Sequence, residues 1–252
     1  MRRQRWIGPL LVLALAGAWF VMLARQGSPA GAQQATDPNT FTPGQVVAGR
    51  QLYLVHCSSC HGLDAQGIGR SPTLVGAGAA SADFYLRTGR MPLNDPADQP
   101  MRHRPAFSPL QIRSLVAYVA SLGPGPPIPT PRAGNLAAGN QLYTLNCAQC
   151  HNDAGSGGAL SYGEIVPSLR LATPLDVGEA VRIGPNPMPV FGPQTLPEQG
   201  VWDVASYVQY LHHPDDRGGL SLAHLGPIPE GFVAWLGLAV LLVVARLIGT
   251  RA

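Results

Sequence analysis

Lysine is absent from this chain. All seventeen basic residues are arginine, a bias that points to base composition rather than to a mechanism. Cysteine is scarce, four in 252 residues, and all four fall in two tight groups, Cys57/Cys60 and Cys147/Cys150. No thiol is left over for a structural disulfide or for a further metal site. Methionine is almost as rare, with five in all, so two methionines at equivalent places in a repeat carry weight. No stretch alternates apolar and polar residues convincingly, which leaves little room for a sheet.

Each cysteine pair is followed by a histidine. Cys57-Ser58-Ser59-Cys60-His61 and Cys147-Ala148-Gln149-Cys150-His151 are two copies of C-x-x-C-H, the attachment signature of covalently bound c-type haem. Two thiols form thioethers with the haem vinyl groups, and the adjoining histidine is the proximal iron ligand. A thioredoxin-like redox pair would want a βαβ context, whereas Gly-rich loops follow both motifs. A zinc site would need a fourth ligand and gives no reason for a downstream methionine. The surroundings repeat too. Ala48-Gly49-Arg50-Gln51-Leu52-Tyr53 returns ninety positions later as Ala138-Gly139-Asn140-Gln141-Leu142-Tyr143. Pro72-Thr73-Leu74 matches Pro167-Ser168-Leu169, Met91-Pro92 matches Met188-Pro189, and Leu115–Val119 matches Val204–Val208. Two units of this length are too few for a solenoid and suit tandem haem domains.

The ends are apolar. Ile7 to Ala24 carry no charge and follow Arg2, Arg3 and Arg5, and Ala30-Gly31-Ala32 resembles a signal-peptidase site. The run is long for a signal and Arg25 interrupts it, so residues 1–32 read either as a cleaved signal or as a retained anchor. Phe232 to Ala245 form a second uncharged run, closed by Arg246 and Arg251, and the span can extend over residues 231–249, which approaches the ~20 residues that cross a bilayer. Arginines at the outer ends of both runs place the middle on the extracytoplasmic face of the cell membrane and the C-terminus in the cytoplasm. Between them lie domain one (41–122), a Pro-rich linker (123–134), domain two (135–217) and a connector (218–230). Domain one carries seven arginines against four acids, and domain two carries three against eight. The two domains thus differ in sign, which suits docking to different partners.

Helix-start grammar recurs at Thr42-Pro43-Gly44-Gln45, Ser108-Pro109-Leu110-Gln111 and Thr173-Pro174-Leu175-Asp176. The last opens a helix ending near Gly184, whose counterpart in domain one runs from about Ala82 to Gly89. The fold expected is all-α: two tandem cytochrome c-like haem domains, a C-terminal transmembrane helix and an N-terminal apolar signal or anchor segment. Domains of some eighty residues need a staple, and the haem supplies it. Tyr53, Leu74, Leu115 and Tyr118, with Tyr143, Leu169, Val204 and Tyr207, are its candidate packing partners.

The sixth iron ligand decides between electron transfer and substrate chemistry. Met91 follows His61 by thirty residues and Met188 follows His151 by thirty-seven, both in proline-stiffened loops. They are the candidate distal ligands, with Met101 and His103 as alternatives to Met91. His/Met ligation raises the reduction potential. His56, His212, His213 and His224 receive no role.

With these phrases, with Gly76–Ser81, Gly157–Ser161 and Gly226-Pro227-Ile228-Pro229-Glu230-Gly231 entering the anchor, the chain resembles the membrane-anchored di-haem cytochrome c subunit of the actinobacterial-type cytochrome bc complex, the menaquinol–cytochrome c reductase. That resemblance implies two covalent haem c groups and three partners: a cytochrome b subunit, a Rieske iron–sulfur subunit and a haem–copper oxidase. Electrons would pass from the Rieske centre through the two haems to the oxidase, with no substrate chemistry at the haems and no nucleic-acid partner. The alternative is an independent membrane-anchored di-haem carrier. A di-haem peroxidase or sulfur-compound dehydrogenase would need an open iron position or a cysteine ligand, and the two methionines and exhausted cysteines argue against both.

Overall fold

The computed structural model describes residues 37–215, residue 222 and residues 227–249. The proposed N-terminal signal or anchor, His224 and most of the connector lie outside them. The chain divides into Met1–Thr40 and Phe41–Ala252, and the helices and strands of the described residues all belong to the second part.

The first repeat is built from α1 (Pro43–His56), the one-turn α2 (Ser58–His61), α3 (Gly78–Arg87) and α4 (Pro109–Ser121). The second answers with α5 (Leu136–Asn146), α6 (Ala148–His151), α7 (Pro174–Ile183) and α8 (Glu198–His212). The capping grammar holds at three starts. Thr42 with Gln45, Ser108 with Gln111 and Thr173 with Asp176 each form a reciprocal capping box, with proline opening the helix. Helix α7 stops at Ile183 because Gly184 takes a left-handed conformation there (φ 58°).

Helix α3 starts four residues before the expected Ala82. Its N-cap, Ala77, has no side chain to cap with, and a linker carbonyl takes over: the Ala80 amide donates to Pro126 O at 3.0 Å. A small antiparallel pairing, β1 (Gly158–Ala159) with β2 (Ile165–Val166), is the one strand pair among the described residues that sequence periodicity did not announce.

In each repeat the first and last helices cross at a glycine. A Cβ on Gly49 would lie 1.9 Å from Ser114 O, and one on Gly139 would lie 2.0 Å from Asp203 O. Nothing larger than hydrogen fits, so the two backbones meet directly. Around these crossings sit two cores. Tyr53, Leu115, Val116 and Val119 anchor the first. Tyr143, Trp202, Val204 and Val208 anchor the second.

The linker is held on both sides. Ile128 is buried in the first core, while Gly178 leaves room for Pro129 against Trp202. Leu175 of the second repeat also packs on the first core. Beyond the repeats, α9 (Pro227–Gly249) is about 34 Å long at 1.5 Å per residue, enough for a ~30 Å hydrocarbon core. Its apolar side chains, Phe232 through Ile248, are exposed on all sides. The helix begins at Pro227, inside the stretch read as connector.

Candidate haem sites

The two C-x-x-C-H motifs adopt the same local structure. Cys57 and Cys147 each cap a single turn, and His61 and His151 donate their amides to those cysteine carbonyls at 2.9 Å. The thiols three residues apart therefore project from one short turn, with the histidine next in line. Burial pushes the Cys57 thiol up to about 11, with Cys60 adding to the shift, and burial does the same to Cys147 beside Cys150. Each motif ends at a residue with positive φ, Gly62 or Asn152, whose carbonyl accepts a tyrosine hydroxyl. Tyr53 Oη donates at 2.5 Å and Tyr143 Oη at 2.6 Å. Burial raises the Tyr53 phenol to about 12, and it raises Tyr143 as well.

The imidazoles are oriented by backbone. His61 Nδ1 lies 2.9 Å from Pro72 O, and His151 Nδ1 lies 3.1 Å from Pro167 O. A carbonyl can only accept, so Nδ1 carries the hydrogen and the Nε2 lone pair is left for a metal. Burial lowers the His151 pKa, the Pro167 bond opposing it, which keeps the ring in its neutral, ligating form. Pro72 and Pro167 stood out in the sequence only as part of the repeat.

In the second repeat Cys147, Cys150, His151 and Met188 line one cavity of about 430 Å³, walled by Leu169, Val177, Val181, Val204 and Val208. Its size lies within the usual range of cofactor pockets. Two thiols, one neutral imidazole with a free Nε2, a thioether and an apolar wall are the donor set and surroundings a c-type haem takes. In the first repeat Met91 and Cys57 pack on the core that holds Tyr53 and Leu115. Of the alternatives to Met91, His103 is exposed, and Met101 lines the second cavity. His212, assigned no role, lies 2.8 Å from Leu169 O through Nε2.

Between the repeats lies a cluster that sequence reading did not assemble. Arg87 bonds Asp83 (2.8 Å), Asp176 (2.6 Å) and Glu179 (2.5 Å), and Arg102 bonds Asp176 (2.7 Å). Glu179 is fully buried. Burial, with Asp83 adding, raises its carboxyl to about 9 against the pull of Arg87. Burial works against ionised Asp176 too, but the Thr173 amide and the two arginines win and lower its pKa. Part of the opposite charge of the two domains is therefore turned inward. Nearby, the Gln99 amide pairs with both backbone groups of Ile165, at 2.7 and 2.9 Å.

Family models agree with this duplication: "Cytochrome c" matches residues 46–123, and "Cytochrome C oxidase, cbb3-type, subunit III" matches residues 134–208. Fold and family models together define a c-type cytochrome with two cytochrome c domains in tandem. A cytochrome bc1 complex cytochrome c subunit of Corynebacterium diphtheriae is 35% identical over 82% of this chain and 81% of its own. One from Mycobacterium tuberculosis is 34% identical over 100% of this chain and 93% of its own. A cbb3-type cytochrome c oxidase subunit of Azospirillum is 32% identical, over only 47% of this chain. The chain belongs to the family of cytochrome bc1 complex cytochrome c subunits.

Proposed function

We propose that this chain carries two haem c groups and relays electrons within a membrane quinol–cytochrome c reductase, from a Rieske iron–sulfur centre to a haem–copper oxidase. Domain one (41–122) binds the first haem through Cys57 and Cys60, with His61 and Met91 on its iron. Domain two (135–217) binds the second through Cys147 and Cys150, with His151 and Met188. Each haem supplies a reversible one-electron couple when bound.

The protein's own part is positional. Pro72 and Pro167 fix the imidazole tautomers, Tyr53 and Tyr143 hold the ends of the motifs, and the methionine thioethers would close the irons to substrate, leaving them to electron transfer. Helix α9 anchors the pair, with the haem domains on the extracytoplasmic face and the C-terminus in the cytoplasm. A cytochrome b subunit completes the complex in the bilayer. The observation that carries this reading is the second cavity, where thiols, imidazole and thioether converge, set in a chain alike along its whole length to subunits named for the bc1 complex.

The test is purification from membranes in mild detergent through a tag on this chain. The expected preparation holds cytochrome b, a Rieske subunit and two c haems per chain. Recovery of this chain alone, still loaded with haem, would make it an independent carrier instead.

A further inference from the structure

Arg90, in Thr88-Gly89-Arg90-Met91-Pro92, is 8% exposed. Its backbone amide donates to Tyr85 O at 2.8 Å, and its guanidinium carbon stands 4.6 Å from the centre of the Phe84 ring. Its Nη1 is buried and has no hydrogen-bond partner. The acids around it are already engaged, Asp83, Asp176 and Glu179 with Arg87, and Asp176 again with Arg102. Burial opposes the Arg90 charge and the neighbouring Arg102 adds to that, but arginine does not relieve such a penalty by losing its proton. A cation–π contact offsets part of the cost, and a buried charge otherwise calls for an anion.

The cavity that it lines identifies that anion. Arg90 and Arg102 belong to the first repeat, yet both line the cavity of Cys147, Cys150, His151 and Met188. The Gln99–Ile165 pairing holds the Arg102 segment against the second repeat. A haem carries two propionate carboxylates, and a guanidinium fork matches a carboxylate.

We infer that Arg90, with Arg102 beside it, seats a propionate of the second haem, so that the first domain completes the second domain's cofactor site. The inference rests on the second cavity being a haem c site. Covalent haem content of the wild-type chain checks that premise separately, since two haems are required and one would remove it. Both arginines act as positioning residues. A cation beside a propionate favours the iron's reduced state, because reduction removes a positive charge.

The experiment is redox titration of the full chain in detergent, with the second haem assigned by the shift that Met188→His produces. Arg90→Gln should lower the potential of the second haem more than that of the first, Arg102→Gln should lower it in the same sense, and Arg90→Lys should recover part of the loss. If neither potential moves, or the first haem moves more, the seat is not there. Should Arg90→Gln fail to accumulate, Arg90→Lys and Arg102→Gln decide by the same comparison.

Discussion

The proposed ligands His61, Met91, His151 and Met188 can be named from the sequence because iron chemistry demands particular side chains, and a repeat shows which copies correspond. The groups that aim them were not. Pro72 and Pro167 act through a carbonyl, which every residue type has, so only the chain path reveals them. The same holds for the carbonyls of Gly62 and Asn152. Replacing Tyr143 by Phe removes one hydrogen bond and leaves the Asn152 carbonyl only the Gly155 amide as donor. The expected cost is about 1 kcal/mol, read as a lower melting temperature of the haem-loaded protein. Met188→His should exchange thioether for imidazole and lower the potential of one haem while leaving the other in place. A variant in which both potentials are unchanged would remove Met188 from the iron.

At the scale of elements, capping boxes and helix spacing placed α1, α4 and α7 well, since each start is written in its own few residues. Helix α3 was misjudged because its cap is a linker carbonyl more than forty positions away, and β1–β2 because two residues a strand leave no periodicity to read. The glycine crossings appeared in sequence merely as matching Ala-Gly dipeptides. Their meaning is geometric, and it predicts opposite outcomes for two Gly→Ala changes. At Gly139 the new methyl would meet Asp203 O at 2.0 Å, and overpacking should cost about 3 kcal/mol or more. At Gly44 nothing lies closer than 4.0 Å, and the loss of backbone freedom in the unfolded chain should leave stability equal or up to about 1 kcal/mol higher. Denaturant unfolding of the two variants, followed at the haem absorption, makes the comparison.

At the scale of the molecule, regional charge counting found that the domains differ in sign, but not that Arg87 and Arg102 spend some of that difference on Asp176. Glu179 makes this junction pH-sensitive. Its carboxyl holds its proton more tightly in the folded chain, near pKa 9, than at the ordinary 4.5, so its contribution is complete below about pH 4.5 and is lost as pH rises through 9. Glu179→Gln cannot titrate. The stability difference between wild type and this variant should therefore shift against the wild type from pH 5 to pH 9, and melting curves across that range should show it. A difference that stays constant would mean the buried carboxyl is already ionised.

Both haems are proposed to lie in one electron path. Quinol-driven oxygen consumption by the detergent-purified complex, wild type against Met188→His, tests it directly, with quinol reduction of the first haem followed in the same sample. Reduction of one haem should persist while oxygen consumption falls at least tenfold, since lowering the second haem's potential breaks the relay. Undiminished oxygen consumption with the second potential demonstrably lowered would contradict it.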